Sequence, residues 1–209
     1  MTLVARRHLA RACPRFAALI RHVGPCRLAP DKASPYEALL RAVAHQQLHT
    51  KAARTITERF MALGRSGCPT PGELLSFDEA TLRGCGLSAA KIAAMRDIAL
   101  HAERGVVPSR RAAARMSDAR LVDNLTAIRG VGRWTVEMLL IFTLGREDVL
   151  PVDDFGVREG YRLLHRLPEQ PKPRELAAIG EAWAPYRSIA AWYLWRAVDV
   201  AREDGMERL

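Results

Sequence analysis

Cysteine is scarce in this chain of 209 residues, and the four that occur are far apart in the sequence. Cys13, Cys26, Cys68 and Cys85 form no CxxC pair. This spacing argues against a zinc site and against the closely spaced four-cysteine loop of an iron–sulfur cluster. We therefore expect reduced thiols in the interior of the protein, with no zinc and no iron–sulfur cluster.

Long apolar runs are also lacking. None is long enough for a membrane-spanning helix or for the apolar region of a signal peptide, so we expect no membrane partner. The first thirty residues contain no Asp or Glu and carry six arginines. That composition fits an organellar transit peptide, but it also fits a basic amphipathic helix at about Arg15 to Val23, which we favour.

Acidic residues are fewer than basic ones. The chain has 23 Asp and Glu against 32 Lys and Arg, which gives a net charge of +9, and no run of five like charges occurs. This balance favours nucleic acid or another polyanion as the partner. Hydrophobic residues make up 49% of the chain, which at this length allows a substantial core.

Sustained period-2 alternation is absent, whereas signals for helix starts recur along the chain. Capping boxes with proline at the first helical position are expected at Ser34-Pro-Tyr-Glu37 and Thr70-Pro-Gly-Glu73, and simple N-caps at Ser88 and Ser117. The polar cluster His45-Gln-Gln-Leu-His49 interrupts an apolar face and predicts a break between two helices. Its glutamines could contact bases or satisfy loose backbone groups. The predicted class is all-α.

One turn has glycines at two alternate positions, in the segment Leu125-Thr-Ala-Ile-Arg-Gly-Val-Gly-Arg-Trp-Thr135. We expect one helix to end near Ile128 and another to begin near Arg133. Because glycine tolerates positive φ and has no Cβ, the amides at the start of the second helix can approach a phosphate closely. A helix C-cap followed by a new helix start would explain the glycines equally well.

An acidic pair and an aromatic cluster follow this turn. Asp153 and Asp154 are expected to begin a helix that reaches about Leu164. Five of the thirteen aromatic residues lie between Trp183 and Trp195. We expect two of the three tryptophans in that window to lie in the core and the third to line a cleft.

Taken together, these features resemble the helix-hairpin-helix superfamily of DNA glycosylases, and within it the alkylated-base branch, DNA-3-methyladenine glycosylase II. The resemblance spans about Pro14 to Trp195 and is carried by residues 130–135, 148–155 and 183–195. It implies two helical subdomains that flank a cleft, with a helix-hairpin-helix motif. It also implies that alkylated purines such as 3-methyladenine are excised from duplex DNA by base flipping and hydrolysis.

On this interpretation the chain is a single domain over residues 1–209. A helical subdomain is expected at about 35–116, the hairpin and catalytic region at about 117–165, and C-terminal helices that pack back on it at about 174–203. The implied protein is a monomer. Its location would be the cytoplasm of a bacterium, associated with the nucleoid, or an organelle or the nucleus of a eukaryote.

The resemblance assigns roles to individual residues. Asp154 corresponds to the catalytic aspartate and Asp153 to a helix cap, and a slip of one residue in the alignment would exchange them. Gln47 corresponds to the wedge that fills the gap in the duplex. The residues implied for the base pocket are Trp134, Met138, Trp195 and Tyr36. Those implied for contact with the DNA backbone are Gly130, Val131, Gly132, Arg133 and Thr135.

Two further expectations concern cofactors and the reaction. Hairpins of this superfamily hold a monovalent cation, which implies a Na⁺ or K⁺ on the backbone carbonyls of Thr126, Ile128 and Gly130, and no other cofactor. Members that also cleave the strand have a lysine where this chain has Trp134, because a lysine amine forms a Schiff base with the sugar. No lyase activity is therefore expected.

Two alternatives stay open on the sequence. A non-catalytic DNA-binding protein would use the hairpin for backbone contact alone. The acidic pair counts against that reading, because carboxylates at the mouth of a DNA-binding cleft are electrostatically unfavourable. A glycosylase for oxidised, mismatched or deaminated bases is disfavoured by the missing lysine and the missing cysteine cluster.

Overall fold

The structure is a computed structural model that describes residues 3–203 as helices joined by turns. No β-strand occurs in this range, so the expected all-α class is confirmed. The chain forms two compact units: a terminal unit, which runs up to Pro30 and resumes at Gly145, and a central unit, Asp31–Leu144. The division falls inside the segment 117–165, so the glycine turn belongs to the central unit and the acidic pair to the terminal unit.

The helices are short, and most are separated by only a few residues. A π-helical segment, Leu139–Thr143, continues the tenth helix, and a 3-10 turn, Glu181–Trp183, follows the twelfth. In chain order the α-helices are α1 (Leu3–Ala12), α2 (Pro14–Val23), α3 (Pro35–His45), α4 (Thr50–Met61), α5 (Pro71–Ser76), α6 (Glu79–Gly84), α7 (Ala89–Glu103), α8 (Arg110–Ala113), α9 (Asp118–Thr126), α10 (Arg133–Met138), α11 (Phe155–His165), α12 (Pro173–Gly180) and α13 (Arg187–Glu203).

Four helix starts predicted from the sequence are confirmed. At each, the capping side chain accepts a hydrogen bond from the backbone amide three residues later. The four caps are Ser34, Thr70, Ser88 and Ser117. Thr70 also completes a capping box with Glu73. The box expected at Ser34 does not form, because the Glu37 carboxylate pairs with Arg41 at 2.7 Å instead.

The predicted break at the polar cluster is confirmed. Helix α3 ends at His45 and α4 begins at Thr50. Between them the backbone of Gln47 has a φ of 55°, in the left-handed region. The backbone therefore turns sharply at the proposed wedge residue.

The N-terminal basic helix is also confirmed, as α2, whose apolar side chains Phe16, Leu19 and Ile20 are buried. A preceding helix, α1, was not predicted. Both belong to the terminal unit, whose core also contains the buried Trp183 and Tyr193. Trp192 and Trp195 are only partly buried against that core, so one of the three tryptophans is fully interior and not the expected two.

No helix within residues 3–203 has both the length and the apolar character needed to cross a bilayer. All four cysteines are free thiols, and only Cys85 is fully buried. Burial raises the pKa of the Cys26 and Cys68 thiols to about 11, so both are protonated at neutral pH.

The segment before the acidic pair is anchored to the start of α13. The buried Ser188 hydroxyl accepts from the Val149 amide at 2.9 Å and lies 3.2 Å from the Val149 carbonyl oxygen, to which it donates. Arg187 forms a two-pronged ion pair with Asp148, at 2.7 and 2.9 Å. These contacts fix the irregular segment that leads to Asp154.

Replacing Ser188 should therefore lower the stability of the fold. Ser188→Ala leaves the buried amide and carbonyl of Val149 without their partner, and we expect the free energy of unfolding to fall by about 1–3 kcal/mol. Chemical denaturation measures this. Ser76→Ala removes an equivalent hydroxyl from an exposed site and should change stability by less than about 0.5 kcal/mol. Equal stability of the two variants would contradict the anchoring role.

Candidate active site and nucleic-acid interface

The two glycines of the hairpin turn are not equivalent. Gly130 has a φ of 77°, and a Cβ there would lie 2.7 Å from the Cβ of Ala94 on α7. Gly132 is the N-cap of α10 with a φ of −89°, and a Cβ there would meet nothing within 4 Å. Gly130 is thus required by the fold, whereas Gly132 leaves open space in front of the helix start.

Two side chains distant in sequence hold this turn. The Arg129 amide donates to the Asp97 carboxylate at 2.7 Å, and the Gln46 side-chain amide donates to the Gly130 carbonyl at 3.0 Å. Both contacts lie within the central unit. No sequence pattern pointed to Asp97, whereas Gln46 belongs to the polar cluster His45-Gln-Gln-Leu-His49.

The backbone amides expected to contact DNA differ in whether they already donate a hydrogen bond within the protein. Those of Arg133 and Thr135 lie in the first turn of α10, where a helix has no internal acceptors for its N–H groups. The Val131 amide instead donates to the Ile128 carbonyl at 3.1 Å, and its side chain is buried. The Val131 amide is therefore used to close the turn, and a contact between Val131 and the DNA backbone stays a prediction.

Side chains at the start of α10 are divided between solvent and interior. The exposed Arg133 guanidinium pairs with the buried Glu137 carboxylate at 3.0 Å. Thr135 is buried, so its hydroxyl does not face solvent and only its amide remains a candidate for phosphate contact. The Arg133 cation is thereby held at the surface beside the hairpin.

A cavity of about 470 Å³ lies between the polar cluster and α10, within the central unit. Two residues predicted for the base pocket, Trp134 and Met138, line it, and so does the proposed wedge residue Gln47. The Trp134 side chain is 46% exposed. The remaining lining residues, which the sequence did not assign to a pocket, are Ala42, His45, Gln46 and Thr135.

Tyr36 does not line this cavity, and its assignment to the base pocket stays a prediction. Its ring belongs to α3, but its hydroxyl is buried in the central unit. Burial, and secondarily the nearby Cys68, Glu103 and Glu73, raise the pKa of this phenol well above its usual value. Tyr36 is therefore a neutral, partly buried side chain with a buried hydroxyl.

Asp154, and not Asp153, caps α11. Its Oδ1 accepts from the Val157 amide at 2.8 Å and from the indole Nε1 of Trp195 at 2.8 Å. Because Asp154 occupies the N-cap position of α11, the expectation that Asp153 would cap this helix was wrong. Asp153 is exposed. The structure thus brings together Asp154 and Trp195, which are 41 residues apart in the sequence.

The cation proposed for the hairpin stays a prediction. The Ile128 and Gly130 carbonyls already accept from Val131 and Gln46, although a carbonyl oxygen has a second lone pair to offer. Side chains offer no alternative site, since no group of three or more His, Cys, Asp or Glu in residues 3–203 is arranged to hold a metal.

The hairpin, the cavity beside it and the helix-capping Asp154 all lie in a part of the chain that matches a known family. Residues 40–185 match the HhH-GPD superfamily of base excision DNA repair proteins. The chain belongs to this family. Both the hairpin and Asp154 lie inside the matched range.

Individual HhH-GPD relatives support a narrower placement. DNA-3-methyladenine glycosylase 1 of Schizosaccharomyces pombe is 45% identical over 93% of this chain and 86% of its own. The alkylbase DNA glycosidase-like protein mag2 of the same organism is 35% identical over 95% of both chains. Within the HhH-GPD superfamily, this chain therefore falls in the 3-methyladenine glycosylase branch.

A solved HhH-GPD structure agrees with this placement. The 3-methyladenine DNA glycosylase Mag1 of S. pombe, in complex with abasic DNA, superimposes with a TM-score of 0.86 at 44% identity. The match covers 94% of this chain and 97% of that one. The helical architecture of this chain is thus that of an HhH-GPD protein over nearly its full length.

The inequality of the two hairpin glycines leads to a test. Gly130→Ala should lower the free energy of unfolding by about 1–3 kcal/mol, because alanine is strained at this positive φ and its Cβ meets Ala94. Gly132→Ala should fold normally but bind duplex DNA several-fold more weakly, because its Cβ would stand between the helix amides and a phosphate. Chemical denaturation and fluorescence anisotropy measure the two effects. Equal behaviour of the variants in both assays would refute the distinction.

Proposed function

We propose that this protein is a monofunctional DNA glycosylase that excises alkylated purines such as 3-methyladenine from duplex DNA and so begins base excision repair. The observation that carries the proposal is the Asp154 carboxylate, fixed at the start of α11 by two hydrogen bonds to one oxygen. The proposal is supported by membership in a base excision repair family and by relatives named as 3-methyladenine glycosylases.

Asp154 acts on the sugar. When the N-glycosidic bond breaks, positive charge develops on the deoxyribose, as in the oxocarbenium-like transition state of glycoside hydrolysis. An ionised carboxylate in a fixed position stabilises that charge without having to reorganise, and it can orient or deprotonate the attacking water. The same carboxylate serves every base, because the charge appears on the sugar.

The cavity of the central unit accepts the extruded base. Its volume of about 470 Å³ lies in the range of small-ligand sites, and the indole face of Trp134 forms part of its wall. Alkylation at a ring nitrogen makes a purine cationic, and an electron-rich indole attracts a cation by about 0.5–2 kcal/mol. Selection then depends on the charge and bond lability of the base, so we expect a broad substrate range.

The hairpin holds the strand from which the base is extruded. Amides at the start of α10, from Gly132 to Thr135, offer donors to one phosphate, and the exposed Arg133 adds positive charge. Such contacts fix the register of the protein on the duplex without reading sequence. A net charge of +9 supports the same partner through long-range attraction.

Gln47 fills the space that the base leaves. It lies at the cavity wall on a backbone turned by its positive φ, beside the exposed Leu48. Extrusion costs a few kcal/mol, and a side chain placed in the gap offsets part of that cost. We propose that the enzyme acts as a monomer, in the compartment that contains the DNA of the cell.

The absence of a lysine at position 134 limits the chemistry to hydrolysis. A Schiff base with the sugar needs an amine at the hairpin, and Trp134 cannot supply one. The product is therefore an intact strand with an abasic site and a free base. Incubation with borohydride should trap no covalent complex with DNA.

The assignment of Asp154 is tested by Asp154→Asn. Asparagine is an equally good N-cap, so the fold should persist while the negative charge is lost. We expect release of 3-methyladenine from methylated duplex DNA to fall by at least roughly 100-fold, with little change in affinity for DNA that holds an abasic-site analogue. Asp153→Asn makes the same change at the exposed neighbour and should leave the rate within about twofold. Full activity of Asp154→Asn would remove this residue from the reaction.

The role of the Trp134 face is tested by a series that reduces its electron density. Release of 3-methyladenine should fall in the order Trp134, Trp134→Phe, Trp134→Leu, with the last about 2- to 30-fold slower than wild type. Met138→Leu preserves apolar volume in the same cavity and should change the rate little. If Trp134→Leu and Trp134→Phe release the base at equal rates, the cation–π contribution is absent.

A further inference from the structure

Two glycines of α11 lie against α13 in the terminal unit, and neither has room for a Cβ. A Cβ at Gly160 would overlap the backbone carbonyl of Leu194. One helical turn earlier, a Cβ at Gly156 would lie 2.8 Å from Cδ1 and 3.1 Å from Nε1 of the Trp195 indole. Residues four apart share a face of a helix, so this glycine face of α11 receives α13 and its indole.

This close approach lets the indole reach the aspartate. The indole nitrogen of Trp195 is 2.8 Å from Oδ1 of Asp154, while a Cβ at Gly156 would lie 3.2 Å from that same oxygen. Any larger residue at position 156 would occupy the space in which the indole and the carboxylate meet. The hydrogen bond therefore depends on the missing side chain.

Oδ1 receives its two donors from different elements. The Val157 amide belongs to the first turn of α11, and the indole comes from α13. The cap alone ties the carboxylate to its own helix, whereas the second donor ties it to a packed neighbour. A carboxylate held by donors from two directions is restrained in orientation as well as position, and hydrogen bonds to an ionised acceptor are among the stronger ones.

We propose that Trp195 is a positioning residue for Asp154: its indole N–H, seated on Gly156, holds the carboxylate in the orientation that bond cleavage requires. This inference rests on the proposed function, in which Asp154 acts on the sugar. It differs from the role of aromatic pocket wall that the resemblance implied for Trp195. A wall acts on the base, whereas a positioning residue acts through Asp154.

The two roles predict different behaviour. If Trp195 acts through Asp154, then the rate depends on the indole N–H and not on the aromatic face. Loss of the N–H should then have no effect on the rate in a variant that lacks the carboxylate. If it acts as a wall, then phenylalanine preserves most of its function and the loss is independent of Asp154. A double-mutant cycle separates these cases, because groups that act as a unit give non-additive effects.

The experiment uses Trp195→Phe, which keeps an aromatic ring and removes the N–H. Single-turnover release of 3-methyladenine should slow by roughly 10- to 100-fold in the wild-type background. In the Asp154→Asn background, the same change should cost less than about twofold. Affinity for duplex DNA with an abasic-site analogue should stay the same. Trp192→Phe, a matched change on α13 at a tryptophan packed against the core and Tyr193, should leave the rate unchanged.

A full rate in Trp195→Phe, or an equal loss in both backgrounds, would overturn the proposal. Gly156→Ala provides a second route, since its Cβ should displace the indole and reproduce the loss seen in Trp195→Phe. Gly84→Ala is the control, because this helical glycine has open space where a Cβ would stand. If Gly156→Ala is fully active, the indole does not depend on that glycine and the proposal fails.

The hydrogen bond itself can be followed without activity. The indole N–H resonance of Trp195, assigned by its loss in Trp195→Phe, should move markedly in Asp154→Asn and in Gly156→Ala but not in Asp153→Asn. An unmoved resonance in Asp154→Asn would show that no such bond exists in solution. If the resonance moves but the wild type releases no base, then the proposed function fails while the contact stands, so the two failures are distinguishable.

Discussion

The contact between the indole of Trp195 and the carboxylate of Asp154 is the interaction on which the proposed role of Asp154 depends. It joins two helices, and it exists because α11 presents glycines to α13 where other residues would hold the helices apart. The anchored segment at Ser188 and Arg187 fixes the approach to α11 from the other side. The Asp154 carboxylate is thus held in place by the packing of the surrounding helices.

In the central unit, contacts from distant parts of the chain likewise hold the backbone of the hairpin turn. Gly130 adopts a positive φ against Ala94, and side chains from two other elements hold the amide of Arg129 and the carbonyl of Gly130. These contacts within the central unit hold the turn without any contribution from DNA. A rigid set of amide donors loses little conformational entropy on binding a phosphate, which favours backbone contact that is strong and independent of sequence.

Local features of the fold could be predicted from the sequence, because a cap such as Ser88 and the amide it binds are only three residues apart. The break after His45 was predictable for the same reason. Features set by tertiary packing were not. Val131 has a backbone position typical of a phosphate ligand, but its amide closes the turn. Tyr36 is partly buried, and its hydroxyl is shielded from solvent. Nor does any periodicity relate Trp195 to Asp154, whose contact depends on how two helices cross.

Gln46 shows how the cavity and the hairpin of the central unit are connected. Its side chain lines the cavity, while its amide nitrogen is committed to the Gly130 carbonyl. One of the two N–H donors of this amide is thus used by the hairpin turn, while its second N–H and its oxygen are not engaged by that bond. Because Gln46 adjoins Gln47, this one hydrogen bond joins the hairpin turn to the segment that carries the proposed wedge residue. The proposed phosphate contact and the proposed wedge therefore lie on connected segments of the central unit.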